Sequence, residues 1–341
     1  MDRFVDLAAF SREELLDLLA LARRLQERPE PHALAGRMLG LLFFNPSLRT
    51  LASFQVAMKR LGGDSFVITA GQGTWQFETR TGAVMSGVAA EHVREGIPVL
   101  ASYCDALGIR AFADGKDLRA DLADTQFKAM AESCDKPLIN LESAINHPCQ
   151  ALADWKTLDD LAVPARAKFV LSWVYHPRAL PLAVPAAVVH MAAARGMQVT
   201  VLRPEGYALP DEIMDKARSA AASSGGSVDE TDDREQALRD AHVVYAKEWG
   251  STSHYGDGEA DARLRAGLGD WCARESWFAA ARNDCRFMHC LPVRRNVAVA
   301  DEVLDGPRSV VKQQAYNRLV AQMAVLHRML NDTRAGGRNS Q

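Results

Sequence analysis

Cysteine is scarce: there are six in 341 residues, and no two of them form a C-x-x-C pair. That disfavours a zinc knuckle and a redox dithiol. A chain this long and this poor in cysteine is not a disulfide framework either, so Cys104, Cys134, Cys149, Cys272, Cys285 and Cys290 read as thiols of a reducing cytoplasm. Excess charge of one sign is also missing. Lys and Arg total 40 against 43 Asp and Glu, a net charge of −3. A partner such as nucleic acid or an anionic membrane would call for a basic surface, so neither is expected. No run of about 18 uncharged apolar residues occurs, which excludes a spanning helix. The N-terminal stretch to Leu25 is apolar in a helical rhythm but carries charges throughout, and does not read as a targeting signal. Glycine fingerprints are weak: Gly71-Gln72-Gly73 lacks a third glycine and a strand-to-helix setting, and G-x-x-x-x-G-K-[ST] is absent.

What is present is ordinary globular material, 48% hydrophobic and 24% charged, with a length that suggests two domains. Ser11 and Glu14 form a capping-box pattern at the head of a helix. Met38–Phe44 is an apolar run ending at Asn45-Pro46, which reads as a buried parallel strand. A helix is expected from Ser47–Arg49 to Leu61, stopped at Gly62-Gly63. Further strands are expected at 65–68, 109–112 and 138–140, and helices at 84–107 and 149–161. The second half repeats the pattern: strands at 168–173, 198–202, 243–246 and 286–289, helices at 182–195, 211–223 and 313–330. Such alternation predicts an α/β chain of doubly wound parallel sheets. The boundary is expected near Gln150–Asp154, and the polar tail 331–341 is expected to be disordered.

In open parallel sheets, ligands bind at the carboxyl ends of strands. The residues there are Asn45–Thr50, Arg110, Glu142 with His147–Gln150, His176-Pro177, Lys247, and Cys290-Leu291-Pro292. Catalysis-capable side chains recur at these exits in both halves, which predicts a cleft between two domains. Ser47-Leu48-Arg49-Thr50 combines a helix N-terminus, two hydroxyls and a bidentate cation, and so could cradle a phosphate without glycines. The plainer reading, in which Ser47 only caps the helix and Arg49 makes a surface ion pair, stays open on this segment alone.

Four segments together carry a resemblance. Phe44–Thr50 resembles the carbamoyl-phosphate motif of the aspartate and ornithine carbamoyltransferases. His147-Pro148-Cys149-Gln150 is similar to their H-P-x-Q motif, His289-Cys290-Leu291-Pro292 to the H-C-L-P motif of the ornithine branch, and Asn317-Arg318 to its terminal N-R pair. The order is that of the family and spans most of the chain. Gln72–Trp75 with Glu78-Thr79, Trp173–Pro181, Tyr245–Gly250 and Leu291–Asn296 are most similar to the N-acylornithine carbamoyltransferases. Lys247 stands where enzymes for free ornithine carry an aspartate-containing segment, and a lysine there suits an anionic or neutral acyl substrate and repels a cation. Acetyl-type members resemble Glu-Glu-His where this chain has Ala90-Glu91-His92, and succinyl-type members Pro-Glu-His. Ala90 leaves room and no repelling charge, which favours N-succinylornithine; N-acetylornithine remains the alternative, and free ornithine or another amine is disfavoured.

The resemblance implies transfer of a carbamoyl group from carbamoyl phosphate to the δ-amine of an N-acyl-L-ornithine, in arginine biosynthesis. It implies a carbamoyl-phosphate-binding domain over 1–150, onto which helix 313–330 packs back, and an N-acylornithine-binding domain over 151–312. Ser47, Leu48, Arg49, Thr50 and Arg318 would hold the donor, with Trp75 approaching from an adjacent subunit. Arg110, His147 and Gln150 would hydrogen-bond the carbamoyl group and polarise its carbonyl. Glu142, His176, Lys247, Arg295 and Ala90 would meet the acceptor, whose amine Cys290 and Leu291 would orient. The resemblance further implies a homotrimer with shared active sites and a knotted C-terminal domain. No cofactor and no metal is expected, because no His/Cys/Asp set has metal spacing. Two departures are present: Asn296–Val299 lacks the lysine some acetyl-type enzymes carry there, and no acidic residue precedes Asn317. Cys290 could instead be an ordinary core cysteine, and His289, His190, His242 and His327 read as structural. Two rivals are weaker: a dinucleotide-dependent oxidoreductase lacks its glycine fingerprint, and a non-catalytic member should have lost Arg49, Arg110, His147 or Gln150.

Overall fold

The computed structural model describes the backbone of residues 1–336 and the side chains of residues 1–331. The chain forms two compact units. One comprises Met1–Ala113, Ala120–Cys149 and the chain from Arg318 onward; the other comprises Asp114–Arg119 and Gln150–Asn317.

The first unit contains strands β1 (Arg3–Phe4), β2 (Met38–Phe43), β3 (Asp64–Thr69), β4 (Phe77–Glu78), β5 (Glu91–His92), β6 (Ala106–Arg110) and β7 (Leu138–Glu142). Five of them make a parallel sheet in the order β1-β7-β6-β2-β3, while β4 and β5 pair separately. Leu39, Leu41, Leu42 and Phe43 are all buried, as the uninterrupted apolar run requires of a strand covered on both faces. The second unit contains β8 (Lys168–Trp173), β9 (Gln198–Leu202), β10 (Ser227–Thr231), β11 (Val243–Lys247) and β12 (Arg286–Met288), again all parallel, in the order β10-β9-β8-β11-β12.

The helix Arg12–Glu27 starts on the expected capping box: Glu14 N–H donates to Ser11 Oγ at 3.2 Å and Ser11 N–H to Glu14 Oε2 at 2.7 Å. The helix Leu48–Arg60 ends at Leu61 ahead of Gly62, whose φ of 85° is a left-handed conformation that glycine adopts without strain. One expectation fails clearly. The helix foreseen over 84–107 covers only Val93–Ser102. Gly87 interrupts its head, His92 caps the helix that does form by accepting Arg94 N–H, and Leu107 belongs to β6. The strand foreseen at 109–112 accordingly begins at Ala106. The last helix runs from Val311 to Gly336, so the tail expected to be disordered from residue 331 begins as helix; residues 337–341 lie outside the described residues. Among the described residues no helix is long and apolar enough to cross a membrane.

Candidate active site

Strand order explains where the polar side chains gather. From β2 the chain moves to β3 on one side and then to β6 on the other, so β2 and β6 flank a topological switch point. Helices leave such a pair on opposite faces and open a crevice at its carboxyl ends. Phe43 is in register with Arg110 there. The second sheet repeats the device between β8 and β11, where Trp173 is in register with Lys247.

At the first switch point the helix Leu48–Arg60 presents its N-terminus. Ser47 caps it, accepting Thr50 N–H at 3.3 Å and donating to Thr50 Oγ1 at 2.9 Å. Arg318, from the last helix, donates to the same Thr50 Oγ1 at 2.7 Å. Asn45 fixes the loop by accepting Phe112 N–H at 2.8 Å, a positioning role that the sequence motif alone did not reveal. Arg110 and Glu142 form a buried ion pair, and His147 Nε2 lies 3.4 Å from the same Glu142 oxygen.

Burial, and then the charges of Arg318, Arg110 and Arg49, hold the His147 imidazole well below its ordinary range, so it is neutral. Burial likewise lowers Arg318, against the attraction of Cys149 and Glu142. Three guanidinium groups therefore face one carboxylate and a neutral imidazole. Arg110 Nε, Arg318 Nε and His147 Nδ1 are buried with no protein partner among the described residues. The unmatched guanidinium N–H groups of Arg110 and Arg318, buried beside a helix N-terminus, suit a multiply charged, oxygen-rich anion. Cys149 is not a nucleophile, because burial pushes its thiol up to about 12.

The second unit holds two further groups. Lys247 and Glu248 are paired at 2.9 Å, both buried, and His289 Nε2 is 3.5 Å from Glu248. Burial alone would raise the Glu248 carboxyl, but Lys247 and His289 outweigh it and hold it ionised. The second group is a hydrogen-bonded chain. Gln150 Nε2 and Gln314 Nε2 both donate to Asp154 Oδ1, at 2.7 and 2.8 Å. Gln314 Oε1 accepts His289 N–H at 3.0 Å, and His289 Nδ1 accepts Leu291 N–H at 2.9 Å. Residues from two separate motifs are thus tied through Asp154 and Gln314, neither of which the sequence had singled out.

The other expected site residues have the following partners. Glu142, expected toward the acceptor, is the counter-charge of Arg110. Arg295 is half exposed and spends its guanidinium on Asp301 and Asp305 at 2.7–2.8 Å. Its neighbour Arg294 is the arginine that reaches His176, with Nε donating to Nε2 at 2.9 Å. Its other ring nitrogen, Nδ1, sits against the Arg178 backbone, 3.1 Å from the N–H and 2.9 Å from the carbonyl oxygen. The charge of Lys247, expected to face the substrate, is balanced by Glu248. Cys290 is buried beside the left-handed Leu291, whose φ is 57°. Trp75 is 54% exposed and donates to Glu91 at 2.8 Å. Ala90 is exposed, with its N–H on Gln76 O at 3.2 Å. Among the described residues no cluster of His, Cys, Asp and Glu could hold a metal ion.

Comparison with known proteins matches this layout. Residues 3–160 match the family model for the aspartate/ornithine carbamoyltransferase carbamoyl-P binding domain, and residues 184–329 that for the Asp/Orn binding domain. The N-acetylornithine carbamoyltransferase of Xanthomonas campestris pv. campestris is 36% identical over 338 residues, covering 98% of this chain and 99% of the relative. The N-succinylornithine carbamoyltransferase of Bacteroides thetaiotaomicron is 34% identical over 319 residues, 93% and 95% of the two chains. A solved N-acetyl-L-ornithine transcarbamylase in which a glutamate is replaced by alanine, complexed with carbamyl phosphate and N-succinyl-L-norvaline, superposes with a TM-score of 0.92 at 37% identity, covering 96% of this chain and all of that one.

Proposed function

The chain belongs to the aspartate/ornithine carbamoyltransferase family, and we propose that it transfers the carbamoyl group of carbamoyl phosphate to the δ-amine of N-succinyl-L-ornithine, giving N-succinyl-L-citrulline and phosphate. The observation that carries the donor half is the group formed by buried Arg110 and Arg318 and half-buried Arg49 around a neutral His147 at a helix N-terminus.

The neutral δ-amine attacks the carbamoyl carbon, the bond to the phosphate oxygen breaks, and the proton lost by the amine passes to the departing phosphate. Negative charge grows first on the carbonyl oxygen and then on the leaving phosphate. Arg110 and a neutral His147 can each direct an N–H at that carbonyl oxygen, and Ser47, Arg49, Thr50 and Arg318 can hold the phosphate. Gln150 would hold the carbamoyl group through its side-chain oxygen. Its Nε2 is committed to Asp154, and its buried Oε1 has no partner among the described residues, so it can accept from the carbamoyl N–H. Positioning and charge stabilisation carry the step, with no covalent intermediate.

The acceptor reading rests on Ala90, which brings no charge to repel a succinyl carboxylate. The solved alanine variant of the acetyl relative with N-succinyl-L-norvaline supports that pairing. His176 and Arg294 are the candidates for the acyl or α-carboxylate group, and the Cys290-Leu291 turn for orienting the amine. N-acetyl-L-ornithine is the second reading, favoured by the higher identity of the acetyl relative, 36% against 34%. We also read the chain as a homotrimer in which Trp75 serves a neighbouring copy. The exposure of Trp75 at 54%, Val84 at 85% and Val88 at 88% supports this, and light scattering tests it. Arg49→Ala should lower turnover by about a hundredfold or more; near wild-type turnover would misplace the phosphate site.

A further inference from the structure

The two residues preceding His147 line a separate cavity of about 440 Å³, which none of the candidate site residues lines. That volume is within the range of small-molecule pockets. Its floor is apolar, made by Val5, Phe127, Ala131 and Ile145. The helix Thr125–Glu132 adds Lys128 and Glu132, one turn apart, at its exposed rim. Neighbours at this spacing can pair, but lysine four residues before glutamate is the weaker order. Arg3 and Asp6 also line the cavity, but Arg3 donates to Cys134 O at 2.6 Å and Asp6 accepts Ala8 N–H at 3.0 Å; among the described residues neither Lys128 nor Glu132 enters an ion pair, so a cation and an anion stand one turn apart above an apolar floor. The arrangement complements an α-carboxylate and an α-ammonium on one carbon, with an aliphatic chain beneath.

The same cavity touches the scaffold of the His147 turn. Asp124 lines it and accepts Ser143 Oγ–H at 2.5 Å and Ala144 N–H at 3.2 Å. Ser143 N–H closes the turn on Asn146 O at 2.9 Å. Asn140 Nδ2 joins that turn to β1, donating to Ser143 Oγ at 2.9 Å and to Val5 O at 3.1 Å. A molecule pressed against Ile145 and Asn146 bears directly on the backbone that orients His147.

We propose that this cavity binds a zwitterionic α-amino acid with an unbranched apolar side chain, and that its occupancy is coupled to anion binding at the Arg49–Arg110–Arg318 group through the 143–146 turn. The coupling rests on the donor site assigned above; the binding does not. The test is calorimetric titration of the full chain with L-norleucine, with n-hexanoate and n-hexylamine as probes carrying one charge each. Saturable binding of L-norleucine is expected, with each single-charge probe weaker by about tenfold. Lys128→Ala should weaken L-norleucine by about tenfold, and Ala131→Phe, which fills the cavity, should abolish binding. Lys128 lies outside the candidate active site, so carbamoyl turnover of Lys128→Ala without L-norleucine should stay unchanged. Absence of saturable binding, or binding unaffected by Lys128→Ala, overturns the site. Coupling is read separately from the affinity for inorganic phosphate with and without saturating L-norleucine. A change of about fivefold or more is expected; identical affinities overturn the coupling alone, and failure of phosphate to bind in either condition overturns the donor site instead.

Discussion

Arg318 donates to Thr50 Oγ1 at 2.7 Å across 268 residues of sequence, and both side chains are buried. The last helix thereby completes a cluster begun at the first long strand. Thr50→Val keeps the shape but removes the acceptor and leaves a buried guanidinium N–H unmatched, at a cost of about 1.5–3 kcal/mol. The expected result is a carbamoyl-phosphate KM raised by roughly ten- to a hundredfold, largely rescued in Thr50→Ser. Steady-state kinetics on the two variants check this.

Among the described residues Glu142 is the one carboxylate that pairs with Arg110. Glu142→Gln leaves that buried cation without its partner, and the loss should be about 3–5 kcal/mol of stability. Inorganic phosphate should raise the melting temperature of this variant by more than that of the wild type, since it supplies the missing negative charge. Thermal unfolding with and without phosphate measures both effects.

His147 is held below its ordinary 6.5. Below that value the unfolded chain binds a proton at this residue that the folded chain does not, so stability is full above 6.5 and falls as the solution becomes more acid. Against His147→Asn, the wild type should lose about 1.4 kcal/mol more per pH unit below 6.5, until the folded residue itself titrates. Urea unfolding at a series of pH values checks the difference in slope.

Asp154 receives both Gln150 and Gln314, so it acts as a positioning residue. Asp154→Asn should lower kcat by about tenfold or more and change the carbamoyl-phosphate KM less. Its effect should be strongly non-additive with Gln150→Ala, because both disturb one network. Additive effects in a double-mutant cycle would separate the two residues.

Much of this was legible in the sequence, and what was not has physical causes. Apolar runs such as Met38–Phe43 and motif segments such as Asn45–Thr50 are local, so strands and the phosphate-side arginines could be read directly. The strand Ser227–Thr231 was missed because its Ser-Val-Asp-Glu-Thr pattern carries little apolar signal at a sheet edge. The helix expected over 84–107 failed because an apolar rhythm was extended through Gly87, where backbone freedom outweighs it. Side-chain partners were the least legible. Arg294 and Arg295 are adjacent and identical in chemistry, and only the third dimension gives one His176 and the other Asp301 and Asp305. Asp154 and Gln314 carry no motif, and their bond spans 160 residues.

The most direct test of the central claim is a carbamoylation assay with N-succinyl-L-ornithine, N-acetyl-L-ornithine and free L-ornithine side by side, scored by kcat/KM. The account predicts the highest value for the succinyl compound, a lower value for the acetyl compound, and little activity with free ornithine. Replacing Ala90 with glutamate should reduce the succinyl preference by about tenfold or more. Preference for free L-ornithine would contradict the acyl assignment, and activity with the acetyl compound alone would contradict the reading of Ala90.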